Sequence, residues 1–154
     1  MEQHDSLTIQ RLLNATPQQV WWACSNANVL RYWWAQPEGA VMPTIELDFR
    51  IGGSLFFRVE LAGGEVIWGK CFYKDIVPLK KIVVDNHFSN EKGELLDSPE
   101  WPPSTITLTI EDTPGGTKLT VRHEGIGAGA HKVERYKEGW AQSLERLALE
   151  LVNQ

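Results

Sequence analysis

The segment AHKVERYKEGWAQSLERLALELV, Ala130 to Val152, decides the fold. Val133, Tyr136, Trp140, Leu144, Leu147 and Leu151 recur at three- and four-residue intervals, so they form one apolar stripe of a helix with charged residues on its other side. At 1.5 Å per residue such a helix is about 34 Å long. An eight-residue strand spans about 26 Å, so this helix can cross and cover a whole sheet. Gly139 interrupts it at a cost of roughly 1 kcal/mol relative to Ala. A glycine beside Trp140 points either to close backbone approach or to space kept open.

Upstream, from Thr44 to Glu124, the apolar period changes to two. Ile45/Leu47/Phe49, Leu55/Phe57/Val59/Leu61, Ile106/Leu108/Ile110 and Leu119/Val121 alternate with polar residues, so one sheet face is buried and the other is mostly wet. Gly52-Gly53, Gly63-Gly64, Pro78, the Ser89 to Pro103 segment and Pro114-Gly115-Gly116 divide the stretch into six strands of an antiparallel meander. Val66 to Val77 does not alternate cleanly, and a bulge near Gly69 would reconcile its halves. Near the start, Leu7, Ile9 and Arg11 followed by Leu12 and Leu13 mark a first strand.

Thr16-Pro17-Gln18-Gln19 then carries a capping box with proline at the first helical position. Val20, Trp21 and Cys24 share a face of that short helix. Asn26 offers a cap for a second short helix bearing Val29, Leu30, Trp33 and Trp34. This order predicts an α+β architecture, a seven-stranded antiparallel sheet with its helices on one face, forming a single domain over residues 1–154.

Hydrophobic residues make up 42% and charged residues 23% of the chain, far from the signature of disorder. The net charge of -5 repels phosphate and argues against nucleic acid as a partner. No apolar run approaches the ~20 residues of a membrane span. Met1-Glu2-Gln3-His4-Asp5 lacks both regions of a secretory signal, so a cytoplasmic location is expected. Cys24 and Cys71 match neither a disulfide framework nor a zinc finger.

Gly125-Ile126-Gly127-Ala128-Gly129-Ala130 formally matches the dinucleotide fingerprint, but no second parallel strand can follow the last helix, so it reads as a strand-to-helix connection. His4, His87, His123 and His131 form no metal-ligand spacing, and neither metal nor cofactor is expected. There is no GxSxG elbow, and no catalytic residue is assigned. Asp48 and Arg50 read as a solvated pair. His123 shares parity with Leu119 and Val121 and should point inward, either as a satisfied core histidine or as a functional one. His87 falls on the opposite parity from Val84, Asn86 and Phe88, at or near the surface, whereas an inward Asn86 must hydrogen-bond to something.

Seven tryptophans suit either core packing or a pocket wall. Trp33, Trp34, Phe57, Tyr136 and Trp140 are the candidate walls of a ligand hollow between sheet and helix, with Asn86 and His123 as polar anchors. The fifteen-residue Ser89 to Pro103 segment, carrying Trp101, reads as a lid or as a mobile insertion.

Ala15 and Pro17 before Val20-Trp21, Leu30 before Trp33-Trp34, Gly52-Gly53, Gly69, Pro78, Thr117 with Leu119 and Val121, and Gly139-Trp140 before Leu144 and Leu147 together resemble a known family. It is the activator of heat-shock-protein-90 ATPase homologue (AHSA-type) branch of the START-like, or SRPBCC, superfamily. The resemblance implies a helix-grip fold in which a curved seven-stranded sheet wraps the C-terminal helix around a cavity for a hydrophobic ligand. It also implies readings other than a carrier or sensor: a chaperone-associated interaction module tied to the stress response, or a cyclase- or hydratase-like enzyme using His123. Enzyme status and oligomeric state are left open.

Overall fold

The computed structural model describes residues 5–127 and 130–152. Strand β1 (Ser6–Leu13) leads into α1 (Pro17–Ser25) and the single-turn α2 (Ala27–Leu30). Six strands follow: β2 (Val41–Leu47), β3 (Ser54–Glu60), β4 (Val66–Val77), β5 (Lys81–Ser89), β6 (Ser104–Thr113) and β7 (Gly116–Glu124). Helix α3 (Ala130–Val152) closes the order. All seven strands join one antiparallel sheet in the order β1-β7-β6-β5-β4-β3-β2, and the curved sheet grips α3. This is the α+β order read from the sequence pattern and the helix-grip architecture that the family resemblance implies.

Local chemistry fixes the entry to the helices. The Gln19 N–H donates to Thr16 Oγ1 at 3.1 Å while the Thr16 N–H donates to Gln19 Oε1 at 2.7 Å, completing the capping box. Asn26 Oδ1 accepts from the Asn28 N–H at 2.9 Å and starts α2. The inward sets of the strands, among them Leu55, Val59, Val84, Leu108 and Leu119, join Val20 and Cys24 of α1 and Leu144, Leu147 and Leu151 of α3 in one apolar core. Among the described residues no helix is long and apolar enough to cross a membrane.

The register of β4 differs from expectation. Ile67, Gly69, Cys71 and Tyr73 face inward, and the pairing with β5 then slips by one residue between Tyr73 and Asp75, so Ile76 faces inward next. The bulge is at Lys74 rather than near Gly69, and it reverses the parity that otherwise confuses the alternation. The outer face is also less wet than expected on β3 and β4. Phe56 and Trp68 stack with ring centroids 5.5 Å apart, with Arg58 over Trp68 at 5.7 Å.

The Ser89 to Pro103 segment has its own framework. Leu95 pairs with Ser89, and the Leu96 N–H donates to the Phe88 carbonyl at 2.9 Å. His87 Nδ1 lies 2.8 Å from Asp97 Oδ2 on the outer side. The Trp101 ring meets Phe88 edge-on at 5.4 Å, while Lys132 Nζ stands 4.9 Å from its centroid and donates to the Glu100 carbonyl. At the other loop, the Gly127 N–H donates to Asp5 Oδ1 at 2.9 Å, and Ile126 is buried in the core. Ala128 and Gly129 of the glycine motif, and His4, lie outside the described residues.

Gly69 owes its identity to close approach. It sits directly opposite Phe57, and a Cβ at that position would lie 2.3 Å from Phe57 Cζ. Gly69→Ala is expected to lower unfolding free energy by about 1–3 kcal/mol through overpacking. Combining it with Phe57→Leu should recover most of that loss in chemical denaturation, whereas additive losses would show that Gly69 is constrained by something other than the Phe57 ring.

Candidate functional site

The two halves of α3 meet the sheet differently. Leu144, Leu147 and Leu151 are buried and fill one end of the core. Toward the other end α3 contributes Tyr136, Gly139 and Trp140, and these line an open hollow; a volume of about 1440 Å³ takes in the hollow, its mouth and the space that continues to Arg58, Trp68 and His87 on the outer side of the sheet. A Cβ at Gly139 would meet nothing within 4 Å, so its lack of a side chain keeps space open rather than admitting a neighbouring backbone. The opposite wall carries Phe57, Asn86, Ile106 and His123, and the mouth reaches the rim around Leu96, Trp101 and Lys132.

Trp34 joins the wall from the turn after α2, with its ring edge-on to Trp140 at 5.6 Å. Two α3 side chains hold that turn in place. Ser143 Oγ accepts from the Gln36 N–H at 3.0 Å, and Gln142 Oε1 accepts from the Glu38 N–H at 2.8 Å. Trp33, expected at the wall, lies behind it: the side chain is wholly buried, its indole N–H donates to the Ala23 carbonyl at 2.9 Å, and it does not line the hollow. Adjacent helical-turn residues point to different sides, so only one of the two tryptophans can face the space. The other six candidates, Trp34, Phe57, Asn86, His123, Tyr136 and Trp140, all border the hollow.

The polar groups among them form one chain. The Trp140 indole N–H donates to His123 Nδ1 at 3.0 Å. An indole nitrogen only donates, so Nδ1 must be the unprotonated nitrogen and the proton of the neutral ring sits on Nε2. Nε2 lies 2.8 Å from Ser104 Oγ, which is also 3.3 Å from the Asn86 amide nitrogen. Asn86 Oδ1 is 3.2 Å from Cys71 Sγ. Burial pushes the His123 imidazole down to about 4, which agrees with a ring that must stay neutral to accept from Trp140. Burial, with the Asp85 charge adding to it, drives the Cys71 thiol upward, so the thiol keeps its proton.

Sequence reasoning singled out His123 and Asn86 but missed Ser104, which links them, and Ser143, which holds the turn at Gln36. Ser104 continues the inward parity of Ile106, Leu108 and Ile110, and that alternation extended by one step would have found it. Ser143 lies three residues after Trp140 and was hidden by the apolar stripe around it. Among the described residues, no three His, Cys, Asp or Glu side chains converge in a way that could hold a metal ion.

A seven-stranded antiparallel sheet gripping a long C-terminal helix defines a START-like domain. The family model described as Activator of Hsp90 ATPase homolog 1-like protein matches residues 14–151, and the chain belongs to that family. A solved protein from Chromobacterium violaceum is 27% identical with a TM-score of 0.81, the match covering 96% of each chain. One from Rhizobium leguminosarum is 26% identical with a TM-score of 0.78, covering 97% of this chain and 95% of its own. The AHSA1 protein of Silicibacter pomeroyi, 23% identical over 96% of this chain and 97% of its own, shares the fold at a TM-score of 0.80. Comparison with curated proteins finds no match.

The buried neutral histidine makes stability sensitive to acid. In the unfolded chain His123 binds a proton near pH 6.5, whereas the folded ring resists protonation to about 4. Between pH 6.5 and 5 this group alone should cost the fold about 1.5 kcal/mol. Urea unfolding across that window should show the loss in the wild type and a nearly level profile in His123→Asn. An equally steep fall in the variant would place the acid sensitivity in other groups.

Proposed function

We propose that this protein is a carrier or sensor that sequesters a small molecule with an apolar or aromatic body between the sheet and α3. The observation that carries the reading is the open hollow, walled by Trp34, Phe57, Tyr136 and Trp140, at the one end of the core that α3 leaves unfilled. Open space beside buried aromatic rings is what ligand sites provide, whereas a purely structural core packs to the density of an organic crystal. The walls are rigid aromatics, which hold a ligand at low conformational cost. Both cysteines are free and buried, which suits a reducing, cytoplasmic setting.

The same geometry weighs against the enzyme reading. His123 has both ring nitrogens engaged, so it acts as a strut between α3 and β6 rather than as a general acid or base near neutral pH. Leu96 and Trp101 are exposed apolar side chains at the mouth of the hollow, whereas Trp22, Tyr32 and Ile51 are exposed away from it.

Native mass spectrometry of the protein isolated from its own cells tests the proposal. A stoichiometric small-molecule adduct, lost on denaturation, is the expected result. Gly139→Leu should abolish the adduct while slightly stabilising the helix, by somewhat under ~1 kcal/mol, because the new side chain enters open space. A wild-type protein that carries no adduct, or a variant that retains it at full occupancy, would contradict the reading.

A further inference from the structure

We propose that the ligand presents a hydrogen-bond acceptor, a carbonyl or similar oxygen, to the side-chain amide of Asn86 on the sheet wall of the hollow. The proposal rests on the ligand reading above and goes further by naming the chemistry of the bound molecule. It follows from counting hydrogens along the buried chain. Trp140 can only donate, which makes His123 Nδ1 the acceptor and sends the imidazole hydrogen from Nε2 to Ser104 Oγ. The direction of the chain is therefore fixed from α3 as far as Ser104.

Asn86 comes next, touching Ser104 Oγ at 3.3 Å with one end of its amide and Cys71 Sγ at 3.2 Å with the other. The amide can be oriented in two ways. With nitrogen toward Ser104, one N–H donates there and the oxygen accepts from the Cys71 thiol, which burial keeps protonated. With the ends exchanged, the Ser104 hydroxyl donates to the amide oxygen and one N–H points to sulfur. In both cases the second hydrogen of the amide has no partner among the described residues, and Asn86 lines the hollow.

A carbonyl oxygen with one hydrogen bond is ordinary, but an unpaired N–H facing an apolar space is costly. A ligand that fills the hollow displaces whatever water serves that hydrogen. An acceptor on the ligand replaces the bond, and a hydrocarbon at the same place leaves the donor bare. Selection between such ligands is strongest where the protein group cannot find another partner, and Asn86 is held at both ends by Ser104 and Cys71.

The test uses 2-acetylnaphthalene and 2-ethylnaphthalene, which share one aromatic body and differ by a carbonyl in place of a methylene. Equilibrium dialysis against the full-length wild type should give roughly tenfold tighter binding of the ketone. In Asn86→Leu, checked for folding by its thermal transition, that preference should disappear. Equal affinities, or tighter binding of the hydrocarbon by the wild type, would overturn the assignment while leaving the hollow a ligand site. A ketone preference that persists in Asn86→Leu would move the donor elsewhere and also overturn it. Binding of neither probe would instead contradict the ligand reading itself. The wild-type comparison decides the central point even where the variant does not fold.

Discussion

The hydrogen bond from Trp140 to His123 is the constraint on which the site depends. It is the polar tie between α3 and the sheet at the end of the core where apolar contact is incomplete. A buried bond of this kind contributes only about 0.5–1.5 kcal/mol net, but leaving either partner unpaired costs about 1–3 kcal/mol. The consequence is a narrow choice of states. The ring must be neutral, its proton must sit on Nε2, Ser104 must receive it, and α3 must lie where the indole can reach. A hollow can persist beside such a tie because the helix is positioned by a directional bond and by Leu144, Leu147 and Leu151 farther along, not by filling all the space between.

Much of this was legible in the sequence because it is carried by periodicity. The α3 stripe, the alternation of β3, β6 and β7, and the capping box at Thr16 each follow from a repeated geometric rule. The register of β4 was not legible, since the single extra residue at Lys74 exchanges inward and outward positions without any glycine or proline to announce it. The Trp33 and Trp34 pair shows a similar limit. Neighbouring tryptophans look alike in sequence, and only the turn after α2 decides that Trp34 meets Trp140 while Trp33 turns toward Ala23. Ser104 lay within reach of the β6 alternation, one step before Ile106, but a small polar residue at the end of a strand does not extend an apolar pattern.

Two glycines show how the same residue type serves opposite ends. Gly69 is crowded by the Phe57 ring, which places that ring on the wall of the hollow, while Gly139 faces nothing and leaves room opposite. Both were visible as exceptions to local propensity, a glycine within a strand and another within a helix, and both mark the cavity rather than the framework. Family membership accounts for the framework. It does not account for function, because a shared fold does not carry a shared function; under the proposed reading the choice of ligand rests on the particular polar groups placed inside the framework.

The most direct measurement is long-range proton–nitrogen correlation NMR of the His123 ring in the folded protein at pH 6. The structure requires a neutral imidazole with its hydrogen on Nε2 and an unprotonated Nδ1, and no titration until the pH approaches about 4. A ring protonated on Nδ1, or one that titrates near 6.5 like a solvated histidine, would contradict the tie between α3 and the sheet and the direction of every hydrogen bond that follows from it.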